Sequence, residues 1–116
     1  MDALLGSCAL GDIGHYFPPD DPAFAGANSL KLLARVVTIV REHGMRPVQV
    51  DSVIICEKPQ LAPYLVAMRK NVACVLHINV TDVGIKATTN EGLGPVGRGE
   101  GIAAQAVVVV EKVSNE

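Results

Sequence analysis

The sequence predicts an α+β fold in which helices are layered on a mixed β-sheet. Three observations predict it. Apolar residues recur at helical spacing across residues 29–43, and β-branched residues dominate residues 47–57 and 102–111. The elements run in the order α–loop–α–β–α–β–β, which sets helices over a sheet in a single domain.

Residues 1–10 are apolar and good helix formers, but nothing ahead of them caps a helix. They read as the back half of a helix. Gly11, Asp12, Ile13 and Gly14 end it, and residues 15–22 form a loop dense in Pro and Asp. Asp12, Asp20 and Asp21 are expected there as turn-makers and caps, the commoner role of Asp in such company. Ser29 is the expected N-cap of the next helix and Gly44 its stop. Leu30, Leu33, Val36, Val37 and Val40 make its apolar stripe, widened by Leu32 and Ile39, opposite Lys31, Arg35, Arg41 and Glu42. The density of Val53, Ile54, Ile55 and Cys56 predicts a strand buried on both faces. After Pro59 a helix is expected with Pro63 near its first turn, Leu61, Leu65, Met68 and Val72 inward, and Arg69, Lys70 and Asn71 in water. Residues 80–89 read as a strand with Val83, Ile85 and Ala87 on one face and Lys86 and Thr88 on the other. Residues 102–111 read as a mostly buried final strand, and residues 112–116 as a frayed tail.

A chain of 116 residues is one domain. Its hydrophobic share of 49% and mean hydropathy of +0.32 exceed what so small a core absorbs, which points to a subunit interface. A net charge of −2 and 3% aromatics argue against a nucleic-acid binder, which needs a basic face and stacking platforms. Cys8, Cys56 and Cys74 show no CxxC spacing and read as reduced, mostly buried thiols of a cytoplasmic protein. His15, His43 and His77 lack zinc-site spacing, and His43 is better placed at a helix C-terminus.

One stretch invites chemistry. Residues 86–101 open with Thr88, Thr89, Asn90 and Glu91, continue through five glycines in ten residues, and hold Arg98 among them. Glycines let backbone N–H groups approach a ligand, arginine matches phosphate oxygens, and hydroxyls with a carboxylate add donors and a hard-cation ligand. A phosphate or diphosphate cradle and a plain tight turn both account for it. Neither Walker A spacing nor the strand–turn–helix setting of a dinucleotide fingerprint is present.

Three blocks carry a resemblance. They are Asp2-Ala3-Leu4-Leu5-Gly6 with Leu10-Gly11-Asp12-Ile13-Gly14 and Phe17-Pro18-Pro19-Asp20-Asp21-Pro22; Pro59-Gln60-Leu61-Ala62-Pro63 with Met68-Arg69; and Lys86-Ala87-Thr88-Thr89-Asn90-Glu91 through Gly97-Arg98-Gly99-Glu100-Gly101. Together they resemble the 2-C-methyl-D-erythritol 2,4-cyclodiphosphate synthases of non-mevalonate isoprenoid biosynthesis, along the whole chain. The resemblance implies a cytoplasmic homotrimer with active sites at subunit junctions. It also implies a CDP-linked methylerythritol 2-phosphate as substrate, a zinc ion, and a magnesium or manganese ion on the diphosphate. The products are CMP and a cyclic diphosphate, and such a reaction depends on positioning and charge neutralisation.

By residue, the resemblance implies that Thr89 aligns the phosphates in the transition state and that Glu91 binds the second metal. Thr88 and Asn90 belong to the same phosphate-binding run. Cys56, Glu57, Lys58, Pro59, Gln60, Leu61 and Ala62 match the segment whose backbone holds cytosine. Asp12, Ile13 and Gly14 match the ribose-binding turn, and Phe17, Pro18, Pro19, Asp20 and Asp21 match a mobile loop over the methylerythritol. Arg98 and Glu100 match residues near the trimer axis, where Arg98 meets phosphate. Pro19, Gln60 and Pro95 depart from the family's usual Asp, Lys and Phe. The family's zinc ligands and a His-Ser pair lie on an N-terminal segment of on the order of 40–45 residues that has no counterpart in this sequence. The expectation is therefore a truncated synthase, Met1 an internal methionine of its first helix, and a chain inactive alone. A trimeric CDP-binding module without catalysis, or a non-functional fragment, are the alternatives.

Overall fold

The computed structural model describes residues 1–113. Its elements are α1 (Asp2–Ser7), α2 (Ile13–Tyr16), α3 (Ser29–Glu42), β1 (Met45–Ile55), α4 (Leu65–Leu76), β2 (Val83–Thr88), α5 (Gly94–Gly97) and β3 (Ala103–Lys112). The α+β class holds. The sheet is mixed, in the order β2-β1-β3. β1 runs parallel to β2, from Val50↔Val83 to Ile55↔Thr88, and antiparallel to β3, from Met45↔Lys112 to Ile55↔Ala103.

Helix α3 starts where a cap is available. The Asn28 side chain accepts the Leu30 N–H at 2.8 Å, so Asn28 rather than Ser29 is the N-cap. The helix ends at His43, whose Nδ1 lies 2.8 Å from the Ile39 carbonyl, as expected of a histidine at a helix C-terminus. Val36, Val37 and Val40 pack with Leu4 and Leu5 of α1, Phe17 and Leu76 into the core. Burying each such side chain contributes about 1.5–3 kcal/mol. Helix α1 has no side-chain cap at Met1.

Several expectations change. The segment 11–22 is not all loop, since Asp12 caps α2 by accepting the His15 N–H and Asp21 caps a 3-10 turn at Pro22–Phe24 by accepting the Ala23 N–H. The strand read at 47–57 begins at Met45 and ends at Ile55, because a register shift between Pro47 and Gln49 accommodates the proline inside it. Val53, Ile54 and Ile55 are only half-buried, for helices cover one face of the sheet. Residues 80–82 form a 3-10 turn before β2. β3 is exposed rather than mostly buried, with Val107 73% and Val109 51% accessible. It is an edge strand, and of its valines Val108 and Val110 pack against the core. Lys112 belongs to β3, and the Val113 N–H bonds the Gly44 carbonyl at 2.7 Å, so residues 112 and 113 are not frayed; residues 114–116 lie outside the described residues.

Arg69 does not face water. It is half-buried, and its Nε and Nη2 donate to the Val83 and Val80 carbonyls at 2.8 and 3.1 Å, tying α4 to the start of β2. Met68 lines a groove instead of filling the core. Of the cysteines only Cys56 is buried, while Cys8 is intermediate and Cys74 exposed.

Candidate functional site

Parallel pairing of β1 and β2 brings the chain segments that leave their C-terminal ends side by side. In open sheets with parallel strands this is where ligands bind. Beyond β1, the Cys56 N–H donates to the Thr88 carbonyl at 2.9 Å, which extends the pairing past the strand end. Cys56 Sγ then donates to the Lys58 carbonyl at 3.0 Å, curling the segment over. The result is a cleft of about 290 Å³ lined by Cys56, Glu57, Gln60, Leu61 and Ala62 from one side and Ala87, Thr88 and Thr89 from the other. Two blocks thirty residues apart in the sequence thus share one cleft.

Its rim is the turn that follows Thr89. Thr89 Oγ1 accepts the Glu91 N–H at 3.2 Å, and Asn90 Nδ2 donates to the Leu93 carbonyl at 2.7 Å. Glu91 takes φ +55 and Gly92 φ +73, so two successive residues are left-handed, a conformation glycine adopts freely and glutamate does not. The chain then makes the single turn α5, with Pro95 in its first turn. Gly97 packs backbone to backbone on Gly92: a Cβ there would stand 2.2 Å from the Gly92 carbonyl carbon. Thr88, Thr89, Asn90, Glu91 and Pro95 are all exposed. Arg98 projects from the same loop, but its Nε already pairs with Glu100 at 2.9 Å. On the outer face of the sheet below, Lys86 bonds both oxygens of Asp51 at 2.8 Å and holds that carboxyl below the usual carboxylate range, chiefly through the hydrogen bond.

The remaining expected residues lie elsewhere. Ile13 donates its N–H to Asp2 Oδ1 at 2.9 Å, which fastens the Asp12–Ile13–Gly14 turn to α1. Ile13 borders a second, mostly apolar groove of about 670 Å³ with Met1, Ile54, Met68, Val72 and Ala104. Phe17 is 8% exposed, inside the core, stacked edge-on against Phe24 at 5.2 Å. It packs at the base of the loop that carries Pro18, Pro19, Asp20 and Asp21. Asp2 and Glu57 were not singled out by their side chains in the sequence. A carboxylate at i and a backbone turn many residues away leave no periodic signal.

The sequence pattern of the YgbB family matches residues 1–111. A 2-C-methyl-D-erythritol 2,4-cyclodiphosphate synthase of Cyanothece is 58% identical over 114 residues, spanning 98% of this chain and 71% of the relative. Among solved structures, a bifunctional IspDF from Campylobacter jejuni superposes with a TM-score of 0.91 at 38% identity, covering 96% of this chain and 30% of the longer one. An IspF from Plasmodium falciparum in complex with CDP superposes with a TM-score of 0.83 at 25% identity, covering 97% of this chain and 67% of that one. The strand-end cleft and the Thr-Thr-Asn-Glu turn therefore sit within a match that spans nearly the whole chain, which belongs to the YgbB family, that of the 2-C-methyl-D-erythritol 2,4-cyclodiphosphate synthases.

Proposed function

We propose that this chain forms the nucleotide and diphosphate side of a cyclodiphosphate synthase site. The reaction converts 4-(cytidine 5'-diphospho)-2-C-methyl-D-erythritol 2-phosphate into 2-C-methyl-D-erythritol 2,4-cyclodiphosphate and CMP. The observation that carries the reading is the shared cleft of residues 56–62 and 87–89 at the parallel strand ends. An oxygen of the substrate's 2-phosphate attacks the β-phosphorus and forms the new P–O–P link. The bond from the β-phosphorus to its bridging oxygen breaks, and the electron pair leaves with CMP. The nucleophile belongs to the substrate, so the protein's work is alignment and charge neutralisation.

In this reading the backbone from Cys56 to Ala62 holds cytosine in the cleft. The Thr89 hydroxyl donates to the diphosphate beside it while accepting the Glu91 N–H. Asp12, Ile13 and Gly14 meet the ribose of a site completed by a neighbouring subunit. This fits a chain whose ribose turn borders a different groove from the cytosine cleft. Glu91's exposed carboxylate would hold magnesium or manganese, whose usual set is one or two carboxylates plus substrate phosphates, and the ion would neutralise the diphosphate. Zinc is a different case. Among the described residues no three His, Cys, Asp or Glu side chains gather as a metal site, so this chain's own residues do not fit it.

We further propose that the chain is the C-terminal part of the synthase domain, acts as a cytoplasmic homotrimer, and turns over little substrate alone. The partial-domain reading is supported by coverage, since nearly the whole chain matches only 71% of the Cyanothece synthase. Measuring CMP release by the 116-residue chain with added zinc and magnesium, alongside calorimetric CDP binding, tests this. The expected result is CDP binding without turnover. Turnover matching a full-length synthase refutes the partial-site reading, and a folded chain that ignores CDP refutes the cleft itself.

A further inference from the structure

We propose that Glu57 is a positioning residue that holds the diphosphate turn in its working shape; the proposal rests on the reading of the cleft given above. Glu57 leaves the cytosine segment but aims its side chain across the cleft. Its Oε1 accepts the Asn90 N–H at 2.6 Å and lies 3.4 Å from the Gly92 N–H, from a position 33 residues upstream of Asn90. The other side-chain bonds of this turn, Thr89 to Glu91 and Asn90 to Leu93, are internal to it. A turn with Glu91 at φ +55 next to Gly92 at φ +73 keeps that shape only where its surroundings over-determine it. A half-buried carboxylate bonding its N–H groups does so, and hydrogen bonds to a charged acceptor are stronger than neutral ones.

Two consequences follow. The N–H groups of Asn90 and Gly92 are already taken by the protein's own anion, so the diphosphate is met by the Thr89 hydroxyl and by a cation on Glu91 rather than by a nest of amides. The same carboxylate also couples the two halves of the cleft, since it is fixed by the segment that grips the base and acts on the turn that grips the phosphates.

The test compares CMP, which lacks the β-phosphate, with CDP in magnesium by calorimetry, using the full chain, Glu57→Ala and Glu57→Gln. Amide NMR of Asn90 and Gly92 is recorded without ligand. Glu57→Ala is expected to lower the CDP-over-CMP preference about tenfold, the scale of a lost charge-assisted hydrogen bond. The loss falls more heavily on CDP than on CMP, because the base is held by the backbone of residues 56–62 and the substitution alters only the Glu57 side chain. Glu57→Gln keeps an acceptor oxygen without the charge and recovers part of the preference, which a residue acting through charge alone would not do, while the Asn90 and Gly92 amide shifts separate this from a role in folding. Unchanged Asn90 and Gly92 amides in Glu57→Ala, or an unchanged CDP-over-CMP ratio, overturn the proposal. A loss of CMP binding equal to that of CDP overturns it in favour of a base contact. If the unaltered folded chain binds CMP and not CDP, the turn does not bind diphosphate and both readings fall.

Discussion

Replacing Gly97 with alanine is the sharpest test of how the diphosphate loop is built. The added Cβ would lie 2.2 Å from the Gly92 carbonyl carbon, 2.8 Å from its oxygen and 2.9 Å from its Cα. Non-bonded carbons rest about 3.5 Å apart, so the nearest contact is short by about 1.3 Å. All three atoms belong to backbone, and no rotamer change relieves the overlap. Overpacking of this kind costs about 1–3 kcal/mol where side chains can give, and the upper end applies where they cannot. Because the loop is exposed, the cheaper escape is for the 92–97 segment to open rather than for the domain to unfold. The expected result in a two-dimensional amide spectrum of Gly97→Ala is displacement confined to residues 89–99, with a melting temperature within a few degrees of the parent. Gly101, around which a Cβ meets nothing within 4 Å, supplies the control: Gly101→Ala should leave the loop amides unchanged. A Gly97→Ala spectrum that superposes on the parent refutes the backbone contact. A melting temperature that collapses refutes the claim that the loop opens independently.

Two further outcomes follow from side chains at the sheet. Arg69→Ala removes two hydrogen bonds from a half-buried guanidinium to the Val80 and Val83 carbonyls and should cost about 1–3 kcal/mol in urea denaturation; a change below about 0.5 kcal/mol means α4 is held to β2 by packing alone. Lys86→Met should raise the Asp51 titration midpoint toward the ordinary carboxylate value in a carboxyl NMR titration. The sign is that of a depressed carboxylate: the pair's stabilisation is present above the unfolded value and lost as pH falls through the folded one. Both groups are exposed, so the effect on overall stability is small, and a midpoint that stays depressed without Lys86 assigns the shift to something else.

The sequence discloses most of the fold where one periodicity acts alone. α3 carries an unbroken apolar stripe, and Val36, Val37 and Val40 are buried as that stripe requires. The two faces of β2 alternate as read, Val83 inward and Lys86 outward to Asp51. Legibility fails where a local preference meets a partner far along the chain. Arg69 looks like a solvated helix position until the 3-10 turn at Val80–Asp82 supplies carbonyls within its reach. Phe17 sits among Pro and Asp and reads as a loop tip, yet Phe24 and the Arg35 guanidinium, 5.8 Å from its ring, enclose it. At the site, the residue types of the Thr-Thr-Asn-Glu turn are readable because hydroxyls, a carboxylate and glycines carry their chemistry locally. Their arrangement is not, because the parallel register of β1 and β2 and the reach of Glu57 are products of the whole sheet.

The misjudged burial of β3 follows from the same physics, and it bears on function. Composition asks for more burial than the described chain provides: Ile102, Val107 and Val109 stand open, 62%, 73% and 51% exposed. Alternation along β3 turns Val108 and Val110 to the helices and Val107 and Val109 away from them, so the surplus lies on one side of the sheet. Exposed valines on one face of an edge strand are candidates for an interaction face. Ion pairs Asp51–Lys86 and Arg46–Glu111 share that side of the sheet. In the homotrimer proposed for this chain, that face is where copies of the sheet would meet.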